Sequence, residues 1–84
     1  MSEGWQFVLN ETSVHFLLAL NTRHRDFLIR SLESFISDPL QKGDFDGCDD
    51  TGRPIQIKVV GKFMITFWPD QFVKEIRIVN IERT

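Results

Sequence analysis

At 84 residues, with 42% hydrophobic and 12% aromatic residues, the chain has material for one core and is inconsistent with disorder. Ten Lys or Arg against twelve Asp or Glu leave a formal charge of −2, which argues against a general, charge-driven binder of RNA or DNA. One cysteine, Cys48, excludes an internal disulfide and suits a reducing compartment, and the longest apolar run, Phe16 to Leu20, is far short of the roughly 20 residues that span a bilayer. No basic-then-apolar leader opens the chain, so the expected location is the cytoplasm, with no membrane partner. One domain, residues 1–84, is expected; a domain of this size buries only about 60–70% of its unfolded surface, so a dimer or a permanent partner would help it.

Trp5-Gln6-Phe7-Val8-Leu9 alternates, which predicts a short, half-buried first strand with Trp5, Phe7 and Leu9 on one face. Thr12 or Ser13 is the expected N-cap of a helix over Val14–Leu20, with Val14, Leu17 and Leu18 as its apolar stripe. Asn21-Thr22 breaks that helix, and Thr22 is the expected cap of a second one over Arg23–Ser37. There Leu28, Leu32 and Phe35, with Ile29 and Ile36, make a broad stripe fit to lie on a sheet, while Arg23, Arg25, Asp26, Arg30 and Glu33 take the solvent side. Asp38-Pro39 ends the helix, because proline disfavours the helical conformation in the residue before it.

Residues 39–52 hold three glycines and several aspartates and read as loop, anchored by Phe45, with a short edge strand over Gly43–Cys48. From Arg53 to Arg83 three β-branched and aromatic runs are separated by turn signals at Gly61-Lys62 and Pro69-Asp70-Gln71, the pattern of an antiparallel meander. Ile55, Ile57 and Val59 oppose Gln56, Lys58 and Val60; Phe63, Ile65 and Phe67 oppose Met64, Thr66 and Trp68. In the third run, Phe72 to Ile81, the apolar parity switches, which predicts a bulge near Ile78-Val79 or cover on both faces. The fold class is therefore α+β: an N-terminal strand, a helical hairpin, then a C-terminal antiparallel meander of three to four strands.

Candidate sites are few. Asp44-Phe45-Asp46-Gly47-Cys48-Asp49-Asp50 fails the calcium-loop pattern, since the sixth and twelfth positions from Asp44 are Asp49 and Ile55 rather than Gly and Glu, so no metal is expected. Cys48 sits among carboxylates, which disfavour its thiolate, and no histidine is near it in sequence. Arg23-His24-Arg25 at a helix start opposes the macrodipole and calls for an offsetting group. Residues 1–50 carry four Lys or Arg against nine Asp or Glu, whereas residues 51–84 carry six against three, so the meander is the basic part of an acidic chain. Its Lys58, Lys62, Lys74, Arg77 and Arg83 have the chemistry to hold a phosphate or to face a partner.

The run Gln56-Ile57-Lys58-Val59-Val60-Gly61-Lys62-Phe63-Met64-Ile65-Thr66-Phe67, followed by Lys74-Glu75-Ile76-Arg77-Ile78-Val79-Asn80-Ile81-Glu82-Arg83, resembles the RelE/ParE superfamily of bacterial toxins. The similarity spans nearly the whole chain. It implies a protein bound by a cognate antitoxin and acting either on DNA gyrase, by binding, or on messenger RNA at the ribosome, by cleavage. In the ribonuclease case the resemblance implies catalytic roles for Lys58, Lys62, Arg77 and Arg83, with Lys58 at a strand lysine of the family and Arg83 near one of its arginines. Met64 falls where the ribonucleases have another arginine, the chain has no tyrosine and no histidine after His24, and it reaches Thr84 without the family's C-terminal catalytic segment. The expectation is thus an incomplete catalytic set and action by macromolecular binding, with no cofactor. The alternatives are a ribosome-dependent endoribonuclease and a non-toxic homodimer assembled through an exposed sheet edge.

Overall fold

The computed structural model describes residues 4–84. Its elements are β1 (Gln6–Leu9), α1 (Glu11–Ala19), α2 (Thr22–Ser37), β2 (Phe45–Cys48), β3 (Pro54–Val60), β4 (Phe63–Asp70) and β5 (Glu75–Arg83). The strands form one sheet in the order β1-β5-β4-β3-β2, antiparallel except where β1 runs parallel to β5. The expected strand, helix pair and antiparallel meander are all present, and the edge strand over part of Gly43–Cys48 is β2.

Both helices lie on one face of the sheet. Leu17 of α1 and Leu28, Leu32 and Phe35 of α2 join Phe63, Ile65 and Phe67 of β4 and Ile76, Ile78 and Ile81 of β5 in the buried core. The parity switch in β5 is a bulge: Thr66 pairs with Asn80 but Phe67 with Ile78, so Val79 is the extra residue and Ile81 returns to the core face. Gly61 and Lys62 make the two-residue β3–β4 turn, with Gly61 at φ +59, as a turn compatible with strand twist requires at its first position.

Several local expectations are corrected. Asn10, not Thr12 or Ser13, caps α1: its Oδ1 accepts from the Ser13 N–H at 2.9 Å. The same side chain donates from Nδ2 to the carbonyl of the bulged Val79 at 2.8 Å, so one amide ties the helix start to the irregular strand, which neither hydroxyl could do from inside the helix. Asn21, not Thr22, caps α2 by accepting from the His24 N–H. With α1 starting earlier, its inner face is Ser13 and Leu17, and Leu18 is left 65% exposed. Arg25 is not a solvent-side residue; its guanidinium donates to the carbonyls of Leu17 and Leu20 at the end of α1, which accounts for one of the cations at the start of α2. β4 continues through Pro69 and Asp70, because its pairing with β3 ends at Phe67 and the proline's missing N–H costs no ladder bond on that side. The turn instead occupies residues 71–74, leaving Phe72 fully exposed and Lys74 at φ +55. Phe45 does not anchor its loop; it is 58% exposed.

Candidate functional site

Cross-strand register places each side chain. Gln56, Lys58 and Val60 pair with Phe67, Ile65 and Phe63, so this parity of β3 turns toward the helices. Ile57 and Val59 pair with Thr66 and Met64 and face the other way, onto a surface that no helix covers. Phe45 lies beside Ile57 on that surface, and Val59 is 40% exposed there. The open face is thus apolar over β2, β3 and the adjoining half of β4.

Toward β5 and β1 it becomes polar. Trp68 pairs with Arg77, and Arg77 with Val8. The Arg53 guanidinium stacks 4.2 Å from the centre of the Trp68 ring, and Arg77 lies 5.7 Å from it. Arg77 is held by Asp70 at 3.3 Å and Glu75 at 3.0 Å. A cavity of about 500 Å³ opens here, lined by Val8, Asn10, Arg53, Trp68, Asp70 and Arg77 among others. Asp49 at the base of the β2–β3 loop accepts from the Thr51 hydroxyl and from the Thr51 and Arg53 amides, and these bonds, the hydroxyl's first, hold its carboxyl below the ordinary aspartate value.

The four basic residues singled out from the sequence do not converge. Lys58 points to the helix side in mid-sheet, and Arg77 sits on the open face near the β4–β5 turn. Lys62 and Arg83 both lie at the β3–β4 end, where the Thr84 N–H donates to the Lys62 carbonyl at 2.8 Å and Arg83 lies 5.2 Å from the Phe63 ring centre. His24 meets the same ring edge-on at 5.8 Å, and a cavity of about 390 Å³ beside it is lined by Arg23, His24, Phe27, Gly61, Lys62 and Phe63. Arg23 and His24 were visible in the sequence only as a helix-start oddity; their meeting with Lys62 depends on how α2 crosses the sheet. The Arg53–Trp68 stack was not legible because the residues are fifteen apart, Arg53 in the loop before β3 and Trp68 in β4, and only the pairing of the strands brings them together. Among the described residues no group of three or more His, Cys, Asp or Glu side chains is placed to hold a metal ion, and no helix is long and apolar enough to cross a membrane.

No family model and no curated protein matches the chain. Solved structures do match in fold. The archaeal RelE–RelB complex from Pyrococcus horikoshii OT3 aligns over 95% of this chain and 94% of its own at 11% identity, with a TM-score of 0.74. The toxin–antitoxin complex RelBE2 from Mycobacterium tuberculosis aligns over 96% and 99% at 12% identity, with a TM-score of 0.79. The fold is that of RelE-type toxins.

Proposed function

We propose that this protein is a RelE/ParE-like toxin that works in the cytoplasm by binding a macromolecular target and is itself held by a cognate antitoxin. The observation that carries the reading is the uncovered sheet face, with Phe45 and Val59 exposed beside Ile57, while α1 and α2 both lie on the other side. Of two neighbours of the same fold, one is described as a RelE–RelB complex and the other as a toxin–antitoxin complex, which supports a polypeptide partner here. Lys58 and Arg77 lie on opposite faces of the sheet, which supports binding over RNA cleavage by the set that the resemblance implies. Cleavage through a ribose hydroxyl needs a base and several cations aimed at one phosphate.

The target favoured by this reading is a protein such as DNA gyrase. Tightly regulated expression of the chain alone is expected to arrest bacterial growth while transcript ends stay intact, and the purified protein to inhibit supercoiling. New transcript ends after induction would install the ribonuclease reading instead, and Lys58→Ala with Arg83→Ala would then restore growth. Unimpaired growth with no inhibition of either target would overturn the toxin reading.

A further inference from the structure

The β4–β5 turn, residues 71–74, carries apolar surface that none of the described residues covers. Phe72 is fully exposed and Val73 is more than half exposed. The turn is nonetheless held in one shape. The Phe72 N–H donates to Asp70 Oδ1 at 3.2 Å, and at the base of the turn Arg77 binds Asp70 across the strand pair and Glu75 along its own strand. Lys74 sits at φ +55, a conformation that residues with a Cβ disfavour and that persists only where the surroundings fix it. Two cavities adjoin the turn and share Trp68, Pro69 and Gln71. One of about 500 Å³ reaches Phe72, and the other, of about 560 Å³, reaches Lys42 and the exposed Leu40. Of the charged residues that line them, Asp70 is paired with Arg77 and Arg53 with Asp49; Lys42, like Lys74 in the turn, has no ion pair among the described residues.

We propose that the β4–β5 turn is the anchor by which this chain engages its target protein: the Phe72 ring enters an apolar pocket there, and carboxylates at the rim of that pocket meet Lys74 and Lys42. It rests on the reading of a chain that acts by binding a macromolecule, and it names the surface that binds. An aromatic ring carried on a turn of fixed shape loses little freedom when it is buried, so more of its transfer out of water is realised as affinity. Binding energy concentrates in a few such side chains. The unpaired charges that flank this apolar surface are both cations, although the chain as a whole is acidic, and cations select an acidic rim. The same net charge of −2 disfavours an anionic lipid surface as the occupant. Leu40 and Val73, which extend the apolar surface, have no ring to stack on a nucleobase, which favours a protein pocket over a nucleic acid. A second copy meeting this one turn to turn would set Lys74 against Lys74.

The test compares the full chain with Phe72→Ala, Phe72→Leu and Lys74→Glu, by bacterial growth at matched expression and by inhibition of DNA gyrase supercoiling with purified protein. Because Phe72 is fully exposed, its variants are expected to keep the wild-type urea midpoint, so lost activity is not lost folding. Phe72→Ala is expected to relieve growth arrest and to raise the half-inhibitory concentration at least about tenfold, while Phe72→Leu, which still fills an apolar pocket, stays within roughly threefold of the wild type. Lys74→Glu is expected to weaken inhibition most at low salt. A Phe72→Ala protein as potent as the wild type overturns the proposal and leaves the toxin reading standing; where the wild type arrests growth without inhibiting gyrase, the growth readout decides in the same way. A loss as large in Phe72→Leu as in Phe72→Ala would assign the ring to stacking on a nucleobase and overturn the proposal. So would pelleting with phosphatidylglycerol vesicles that Phe72→Ala abolishes, or a dimer in light scattering that Phe72→Ala dissolves. A wild type that neither arrests growth nor inhibits gyrase refutes the toxin reading and this proposal together.

Discussion

Ser13 is the most informative single position for stability. It is fully buried on the inner face of α1, and its hydroxyl is the one side-chain polar atom among the described residues that is buried without a hydrogen-bond partner. Burying an unsatisfied hydroxyl costs roughly 1–3 kcal/mol. In Ser13→Ala the helix cap survives, since it uses the Ser13 backbone N–H rather than the side chain. Alanine also gains a few tenths of a kcal/mol of helix propensity, while loss of one oxygen leaves little void. The net expectation is a stabilisation of about 1–2 kcal/mol, read as a higher urea midpoint at unchanged slope and a melting temperature raised by about 4–8 °C per kcal/mol. A Ser13→Ala protein that is equally or less stable would refute the reasoning, because it would mean that the hydroxyl is satisfied in solution and contributes to the fold.

Asn10→Ala removes both the α1 cap and the donor to the Val79 carbonyl, an expected loss of about 1–3 kcal/mol by chemical denaturation; Asn10→Asp keeps the cap but turns a carboxylate oxygen toward that carbonyl, so it is expected to recover only part. Gly43→Ala places a Cβ 2.6 Å from the Ile57 carbonyl oxygen, a backbone atom that cannot step aside, so faster hydrogen exchange is expected in β2 than in β4, with a global cost of roughly 1–3 kcal/mol. Leu32→Ala, at a position with no exposed surface, is expected to cost about 2–5 kcal/mol. The Asp49 carboxyl titrates below the ordinary aspartate value, so its contribution is complete above that ordinary value and is lost as pH falls from there through the lower folded value; Thr51→Ala is expected to move the NMR titration of Asp49 back up.

The elements were legible in the sequence wherever one period dominated. The stripe of Leu28, Leu32 and Phe35 marks α2, and the parity switch around Val79 is that of either a bulge or a strand covered on both faces, of which the structure has the bulge. Tertiary choices were not legible. In β3 the more apolar parity, Ile55, Ile57 and Val59, is the one the helices leave uncovered, while Gln56 and Lys58 turn toward them; hydrophobicity alone would pick the wrong face. Asn10 was hidden as a cap because its worth lies partly in reaching Val79, sixty-nine residues away. Phe45 looked like a loop anchor because a lone aromatic among aspartates usually buries, yet here its strand runs along the edge of the sheet on the open face. The basic residues could be found but not assembled, since whether Lys58, Arg77 and Arg83 share a surface depends on which face the helices occupy.

The uncovered face and the scattered cations support the same functional reading by different physics. A small domain gains stability from every apolar face it can cover, and the two helices among the described residues are both committed to the face of Phe63, Ile65 and Phe67. The Ile57–Val59 side is left without such cover, which supports the proposed reading of a chain held by a polypeptide partner. Stabilising charge that develops on a phosphate requires cations that converge before the reaction begins; here Arg77 is ion-paired with Asp70 and Glu75, and Lys58 lies on the opposite side of the sheet. An open face with apolar area to bury, on which Arg77 is paired with Asp70 and Glu75 and from which Lys58 is turned away, supports the reading of a protein that holds a partner.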